Sequence, residues 1–132
     1  MLLWDAYKNS VFICRQRLAP QLSFAIISAQ NPAGELKNPH LNLCLDKQFE
    51  GFLQQARIPF RSVTGASADL TFQEKSWIVF CDKSQAVKMG QQLQQNAIYW
   101  VEQNRLFLVP VLCQQTEEYL GLFNSRVILL AD

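Results

Sequence analysis

The chain is short of charge, has one histidine and holds no long apolar run, and each shortage closes a class of function. Charged residues make up 17% of the sequence and the net charge is +1. Lys and Arg are scattered, where a phosphate-backbone binder carries a basic stripe. A nucleic-acid role would need Arg15, Arg17, Arg57, Arg61 and Lys88 to share one face, and it is not favoured. The longest apolar stretches fall far short of the ~18 residues of a membrane span. Met1-Leu2-Leu3-Trp4 meets Asp5 with no basic segment before it, unlike a secretory signal. A soluble cytoplasmic protein is expected. The four cysteines, Cys14, Cys44, Cys81 and Cys113, form no CxxC, and His40 has no second histidine. Zinc spacing is therefore missing, and neither a metal nor a cofactor is expected. Each cysteine lies in or beside an apolar run and reads as a buried, unpaired thiol. No G-x-G-x-x-G, Walker or G-x-S-x-G sequence occurs. Asp46 and Glu50 alternate with Lys47, so they read as a solvated helix face and not a catalytic pair.

What is present is apolar patterning. Hydrophobic residues reach 49%, enough to give one domain over residues 1–132 a core. Leu3, Ala6 and Tyr7 share a face of a short opening helix, and Val11 to Cys14 reads as a brief strand. Leu22 to Ala29 is almost wholly apolar and predicts a central strand covered on both faces. Asn31-Pro32-Ala33-Gly34 is a turn. Asn38 caps a helix whose first residue is Pro39. Along it Leu41, Leu45, Phe49, Phe52, Leu53 and Ala56 recur at helical spacing, and Ile58-Pro59 ends it. Phe60 to Val63 is a strand closed by Gly65; Ala66 to Lys75 is a loop; Ser76 to Cys81 is another strand. Asp82 and Gln85 form a capping box for a second helix, with Ala86, Met89, Gly90 and Leu93 facing inward. Ala97 to Glu102 and Arg105 to Val111 form a hairpin across Gln103-Asn104. Pro110 marks an edge or a strand end. Thr116 to Leu122 reads as helical turns and Arg126 to Ala131 as a last strand.

The order β-α-β-β-α-β predicts an α+β fold. Two main helices lie on one face of a mixed or mostly antiparallel sheet, as a ferredoxin-like βαββαβ core plus an extra hairpin strand. The alternative is an irregular α/β sandwich.

Three stretches resemble a known family. Phe24-Ala25-Ile26-Ile27-Ser28-Ala29-Gln30-Asn31-Pro32 resembles the A-I-I-T-A-x-N-P signature of a bacterial family catalogued as a domain of unknown function, number 3293. Gly65 with the later Phe72-Gln73-Glu74-Lys75-Ser76 resembles its Gly and W-x-E-P-S element. Met89 to Trp100 resembles its L-G-x-x-F-G-Q-x-A-I-F-W run. Phe72 stands for Trp, Lys75 for Pro, Leu93 for Phe and Gln94 for Gly. The resemblance covers roughly Tyr7 to Val109 and leaves residues 110–132 as a C-terminal extension. It implies a bacterial cytosolic protein and brings no catalytic role.

The candidate residues therefore rest on their own chemistry. Asn31 sits at a strand's carboxyl end, where ligands bind in sheets with crossover helices, and Gly34 leaves backbone N–H groups approachable there. Against this, Asn31 fits a residue satisfying its own loop. Glu74, after the Gly65 loop, reads as a base or an amine anchor, or as a solvated charge at a strand start. Asp69 shares that loop. Gln95 reaches toward the Asn31 end of the sheet, or caps the second helix with Asn96 in the left-handed region. His40, in the first helical turn, has Cys44 at i+4. Trp77, Tyr99, Trp100 and Phe107 form either a sticky sheet face or core. The leading expectation is a non-enzymatic binding or interaction module, its free sheet face or an edge strand meeting a protein partner or a second copy. The alternative is a small enzyme or ligand binder around Asn31, Gly34, Gly65, Glu74 and Gln95.

Overall fold

Asn38 and Asp82 start the two main helices as their sequence signals demand. In the computed structural model, which describes residues 3–130, helix α1 (Leu3–Tyr7) precedes strands β1 (Val11–Cys14) and β2 (Phe24–Ile27). Helix α2 follows over Pro39–Gln55; the Asn38 side chain accepts the Leu41 N–H at 2.8 Å. Strands β3 (Phe60–Ala66) and β4 (Gln73–Val79) come next. Helix α3 (Lys83–Gln92) opens on the Asp82–Gln85 capping box. Strands β5 (Ala97–Glu102) and β6 (Arg105–Pro110) then form the hairpin. Its turn residues Gln103 and Asn104 take φ of 50° and 63°, as a type I′ turn requires. Strands β7 (Glu118–Leu122) and β8 (Val127–Leu129) complete the chain.

Four expectations are corrected. Gly65 does not close β3; it lies inside the strand, opposite Glu74. The loop shrinks to residues 67–72, where Asp69 accepts from Ser67 Oγ at 2.7 Å and from Thr71 N at 3.1 Å. Thr116 to Leu122 is not helical. It supplies β7, because the open edge of β6 offers it a backbone ladder, and cross-strand pairing overrides weak local preference. The last strand is shorter than read, and Ala131 lies outside the described residues.

The eight strands form one mixed sheet in the order β7-β6-β5-β2-β4-β3-β1-β8. All neighbours are antiparallel except β1 and β8. Helix α2 connects β2 to β3 and α3 connects β4 to β5. Both cover the same face, over Ala25, Ile27, Trp77, Val79, Ile98 and Trp100. At Gly90, α3 packs close to its surroundings. A Cβ there would lie 3.0 Å from Ile98 Cγ2 and 3.1 Å from Val111 Cγ2, so the close-packing reason for a mid-helix glycine holds.

The opposite face is not free for a partner. The sheet curls on itself, and Phe12, Phe24, Val63, Ile78, Val101, Leu106 and Phe123 make a second core inside the curl. Phe123 sits 5.5 Å from Phe12 and 5.3 Å from Phe24, ring to ring. The four-residue turn Phe123–Arg126 joins the outermost strands β7 and β8, so the two sheet edges must approach each other. Arg126 bridges them: its guanidinium donates to the carbonyls of Lys8, Ser10 and Leu120 at 2.7, 3.0 and 3.0 Å.

Candidate functional site

At the carboxyl end of β2 the chain turns through Asn31 and Ala33 in the left-handed region, with φ of 48° and 58°. Non-glycine residues take that conformation at a cost, so tertiary bonds must hold it. They are present. Asn31 Nδ2 donates to Glu74 Oε1 at 2.6 Å, while Asn31 Oδ1 accepts from Lys37 N and Asn42 Nδ2, each at 2.9 Å. Asn42 Oδ1 in turn accepts the Asn31 N–H at 2.9 Å. The Ala33 N–H reaches the Gln94 carbonyl beyond α3 at 2.7 Å. Gln95, buried, donates to the Gln30 carbonyl at 3.0 Å. Gly34, at φ 75°, packs against α1, where an added Cβ would fall 2.6 Å from Leu3 Cδ1 and 2.9 Å from Asn96 Nδ2.

Asn31, Gly34, Gly65, Glu74 and Gln95 therefore gather at one end of the sheet, but as a knot already bonded to itself. The Gly34 N–H is not approachable, since it donates to the Asn31 carbonyl at 2.9 Å. Among the described residues no buried side-chain nitrogen or oxygen lacks a partner. The left-handed residue after α3 is Gln94, φ 55°, and not Asn96. This is the position where the resembled signature has glycine, the residue that suits such a backbone.

Glu74 is the strained member of the knot. Burial pushes its carboxyl above the ordinary value of 4.5, and hydrogen bonds from Asn31 and Ser28 only partly offset this. The folded carboxyl thus holds its proton to higher pH than the unfolded one. Below 4.5 both states are protonated and there is no penalty. As pH rises through that value the unfolded chain ionises first and the fold loses stability, until the folded carboxyl also ionises. Glu74→Gln should melt higher than the parent at pH 7, with the gap closing by about pH 4. Thermal melts across that range check this; a gap constant with pH would mean that the charge carries no penalty. The neighbouring hydroxyls of Tyr7 and Tyr99 are also shifted upward, chiefly by burial.

Beside the knot lies a groove of about 340 Å³ between α2 and the end of α3. Ala29, Leu45, Phe49, Met89 and Leu93 line it, Pro32 of the turn walls one side, Phe52 forms a lip, and Gln48, Gln92 and Gln94 complete the lining. The lining contains no ionisable side chain. The sequence does not reveal the groove, because helical spacing places Leu45 and Phe52 on the same apolar stripe as Phe49 and Leu53. In the fold, Asp46 is only 2% exposed and Phe52 is 45% exposed. Asp46, expected on the solvated face, turns inward to accept the Trp77 indole N–H at 2.8 Å and to pair with Lys75 at 3.1 Å. The signal that was available is the width of the α2 stripe. It holds more apolar residues than one core-facing side needs.

The other candidates separate. His40 Nε2 and Cys44 Sγ lie 3.9 Å apart on the outer side of α2, and Cys44 is exposed, contrary to the buried-thiol expectation. Cys14 is buried, and the partly buried Cys81 thiol is pushed up to about 11, mainly by burial. Asp69 serves its own loop, whose hydrogen bonds lower its carboxyl to about 2. Trp77 and Trp100 are core beneath the helices, and Phe107 packs against that core. Tyr99 lies at the second core, with its hydroxyl 2.7 Å from both the Tyr7 carbonyl and Ser10 Oγ. Among the described residues no three His, Cys, Asp or Glu gather as metal ligands, and no helix is long and apolar enough to cross a membrane.

A family model described as "Protein of unknown function (DUF3293)" matches residues 27–98. That is more than half the chain, and every groove-lining residue lies within it. No curated protein and no solved structure matches.

Proposed function

This chain belongs to the family of proteins of unknown function DUF3293, and we propose that it is a non-enzymatic binding module of the bacterial cytoplasm whose seat is the groove between α2 and α3. One observation carries the reading. Helix α2 turns two polar residues, Asn42 and Asp46, toward the protein and leaves Leu45 and Phe52 to line an open groove. Both polar groups are bonded, so turning them inward carries little penalty of its own; the cost lies in leaving Phe52 45% exposed. Function is a reason to keep such an arrangement. The bonded Asn31 knot supports the reading by fixing the wall at Pro32, since a preorganised seat spends less of its binding energy on ordering. An uncharged lining favours binding over acid–base chemistry. The free thiols Cys14, Cys44, Cys81 and Cys113 fit a reducing compartment.

The finer fold description belongs to the same proposal. The segment β2-α2-β3-β4-α3-β5, with strand order β5-β2-β4-β3, supports a ferredoxin-like core extended by β6, β7, β1 and β8.

Backbone NMR during a broad fragment screen tests the seat. Shifts should concentrate at 29–32, 45–52 and 89–94, and Leu93→Trp, which fills the groove, should abolish them while leaving the fold's melting temperature nearly unchanged. Hits that map elsewhere, or persist in that variant, remove the proposal.

Self-association is a second reading, favoured by exposed apolar side chains on β7: Tyr119 and Leu122 are 55% and 52% exposed. A second copy can cover such a patch. Light scattering that gives a strict monomer at high concentration would end this reading.

A further inference from the structure

Taking the groove as the binding seat, we infer that its ligand is a small, uncharged, planar heteroaromatic molecule bearing an amide-like edge. Three features converge on this class. The first is shape and surface. The rings of Phe49 and Phe52 lie nearly parallel, 11° between planes and 6.3 Å between centres. Phe49 is buried in the groove, while Phe52 stands 45% exposed at its lip. A flat ring entering here covers the lip phenyl, and the Met89 thioether adds a polarisable contact. About 340 Å³ sits at the small end of ligand pockets and suits one or two fused rings.

The second feature is hydrogen-bonding type. Gln48, Gln92 and Gln94 are exposed and on the lining. A glutamine amide offers both a donor and an acceptor. It pairs with an edge that also offers both, as it does with nucleobase edges. The third is charge. No cation or anion lines the groove. Gln92 is the last residue of α3, so Gln92, Leu93 and Gln94 present that helix's carboxyl end to the ligand. The partial negative charge there opposes an anionic group. A cation finds no counter-charge among the lining residues. A neutral ring whose edge sets an N–H donor beside an oxygen or ring-nitrogen acceptor satisfies all three features.

The test uses four probes on the full chain, followed by backbone NMR. Nicotinamide and adenine are the neutral heteroaromatics. Nicotinate carries a charge on the same ring, and cyclohexanecarboxamide keeps the amide without a flat ring. Nicotinamide and adenine should shift residues 45–52 and 89–94 saturably. Nicotinate and cyclohexanecarboxamide should bind at least tenfold more weakly. Phe52→Leu alters only an exposed side chain. It should weaken adenine about tenfold, in line with loss of one stacking contact, and leave cyclohexanecarboxamide unchanged. If nicotinate or the saturated amide binds the groove as tightly as nicotinamide, the ligand class is wrong while the seat stands. If Phe52→Leu affects adenine and cyclohexanecarboxamide alike, stacking is not the recognition. If no probe moves the groove residues, the ligand class falls, and fragment hits mapping elsewhere would remove the seat as well.

Discussion

Arg126→Met should lower the unfolding free energy by about 3 kcal/mol and loosen the outer strands first. The guanidinium donates to three backbone carbonyls, those of Lys8, Ser10 and Leu120. A charged donor contributes about 1.5–3 kcal/mol per bond when shielded. Arg126 is only half-buried, so water can replace part of each bond, and about 1 kcal/mol apiece is the better figure. Methionine keeps the length and apolar packing of the stem, so the difference isolates the head group. Arg126→Lys keeps the charge but not the fork that reaches three acceptors, and should recover about a third of the loss. Urea titration gives the total. Hydrogen exchange locates it: β7, β1 and β8 should open sooner, while β2 and β4 keep their protection. A uniform acceleration across the sheet, or a loss below about 0.5 kcal/mol, would show that the seam between the edges is not held by this side chain.

That seam is the part of the fold that sequence patterning does not reveal. Phe123 and Arg126 stand in a four-residue turn. There, no helical or strand period marks which side chain points inward. Their roles come from partners at Phe12, Phe24, Lys8 and Ser10, all more than ninety positions earlier. Strand β7 was misread for the same reason. Glu118 to Leu122 carries no β-branched residue, and only the open edge of β6 makes it a strand. Local chemistry was legible wherever a local rule decides. Asn38 and Pro39 start α2, Asp82 and Gln85 start α3, and Gln103-Asn104 turns the hairpin.

The candidate residues were legible in part. Asn31, Glu74 and Gln95 were placed at one end of the sheet by the end of β2, the start of β4 and the end of α3, and the fold gathers them there. Their state was not legible. Whether an amide faces a ligand or a neighbour depends on Asn42, which the α2 pattern left among polar positions. The groove was hidden by the same one-position ambiguity. Residues 41, 45 and 52 form one possible inward stripe and 42, 46, 49 and 53 another; the second turns inward, with 46, 49 and 53 buried. The need of Trp77 for an acceptor, together with the bonds of Asn42 to the Asn31 turn, chooses between them.

Asp46 is therefore the residue on which the rotation of α2 turns, and its replacement should be costly in a graded way. Asp46→Ala strands the buried Trp77 indole N–H, a loss of about 1–3 kcal/mol. It also removes the partner of Lys75, whose ammonium lies 4.0 Å from the Trp77 ring centre. Lys75 is 37% exposed, so water takes up most of that charge and the full penalty of a broken buried pair does not apply. The sum is about 3 kcal/mol. Asp46→Asn keeps an acceptor for the indole and should cost about 1 kcal/mol. The indole proton resonance of Trp77 reports the bond directly and should move far more in Asp46→Ala than in Asp46→Asn. Equal losses in the two variants would mean that the ion pair, and not the indole bond, sets the position of α2. The consequence reaches the groove. With the indole bond gone, residue 46 is no longer held inward and only the Asn42–Asn31 bonds near the start of α2 oppose rotation, so Leu45 and Phe52 can turn toward the core that their apolar surface favours. Fragment binding to the groove should then fail in Asp46→Ala below its melting temperature and survive in Asp46→Asn. If both variants bind alike while folded, the groove does not depend on this polar anchor.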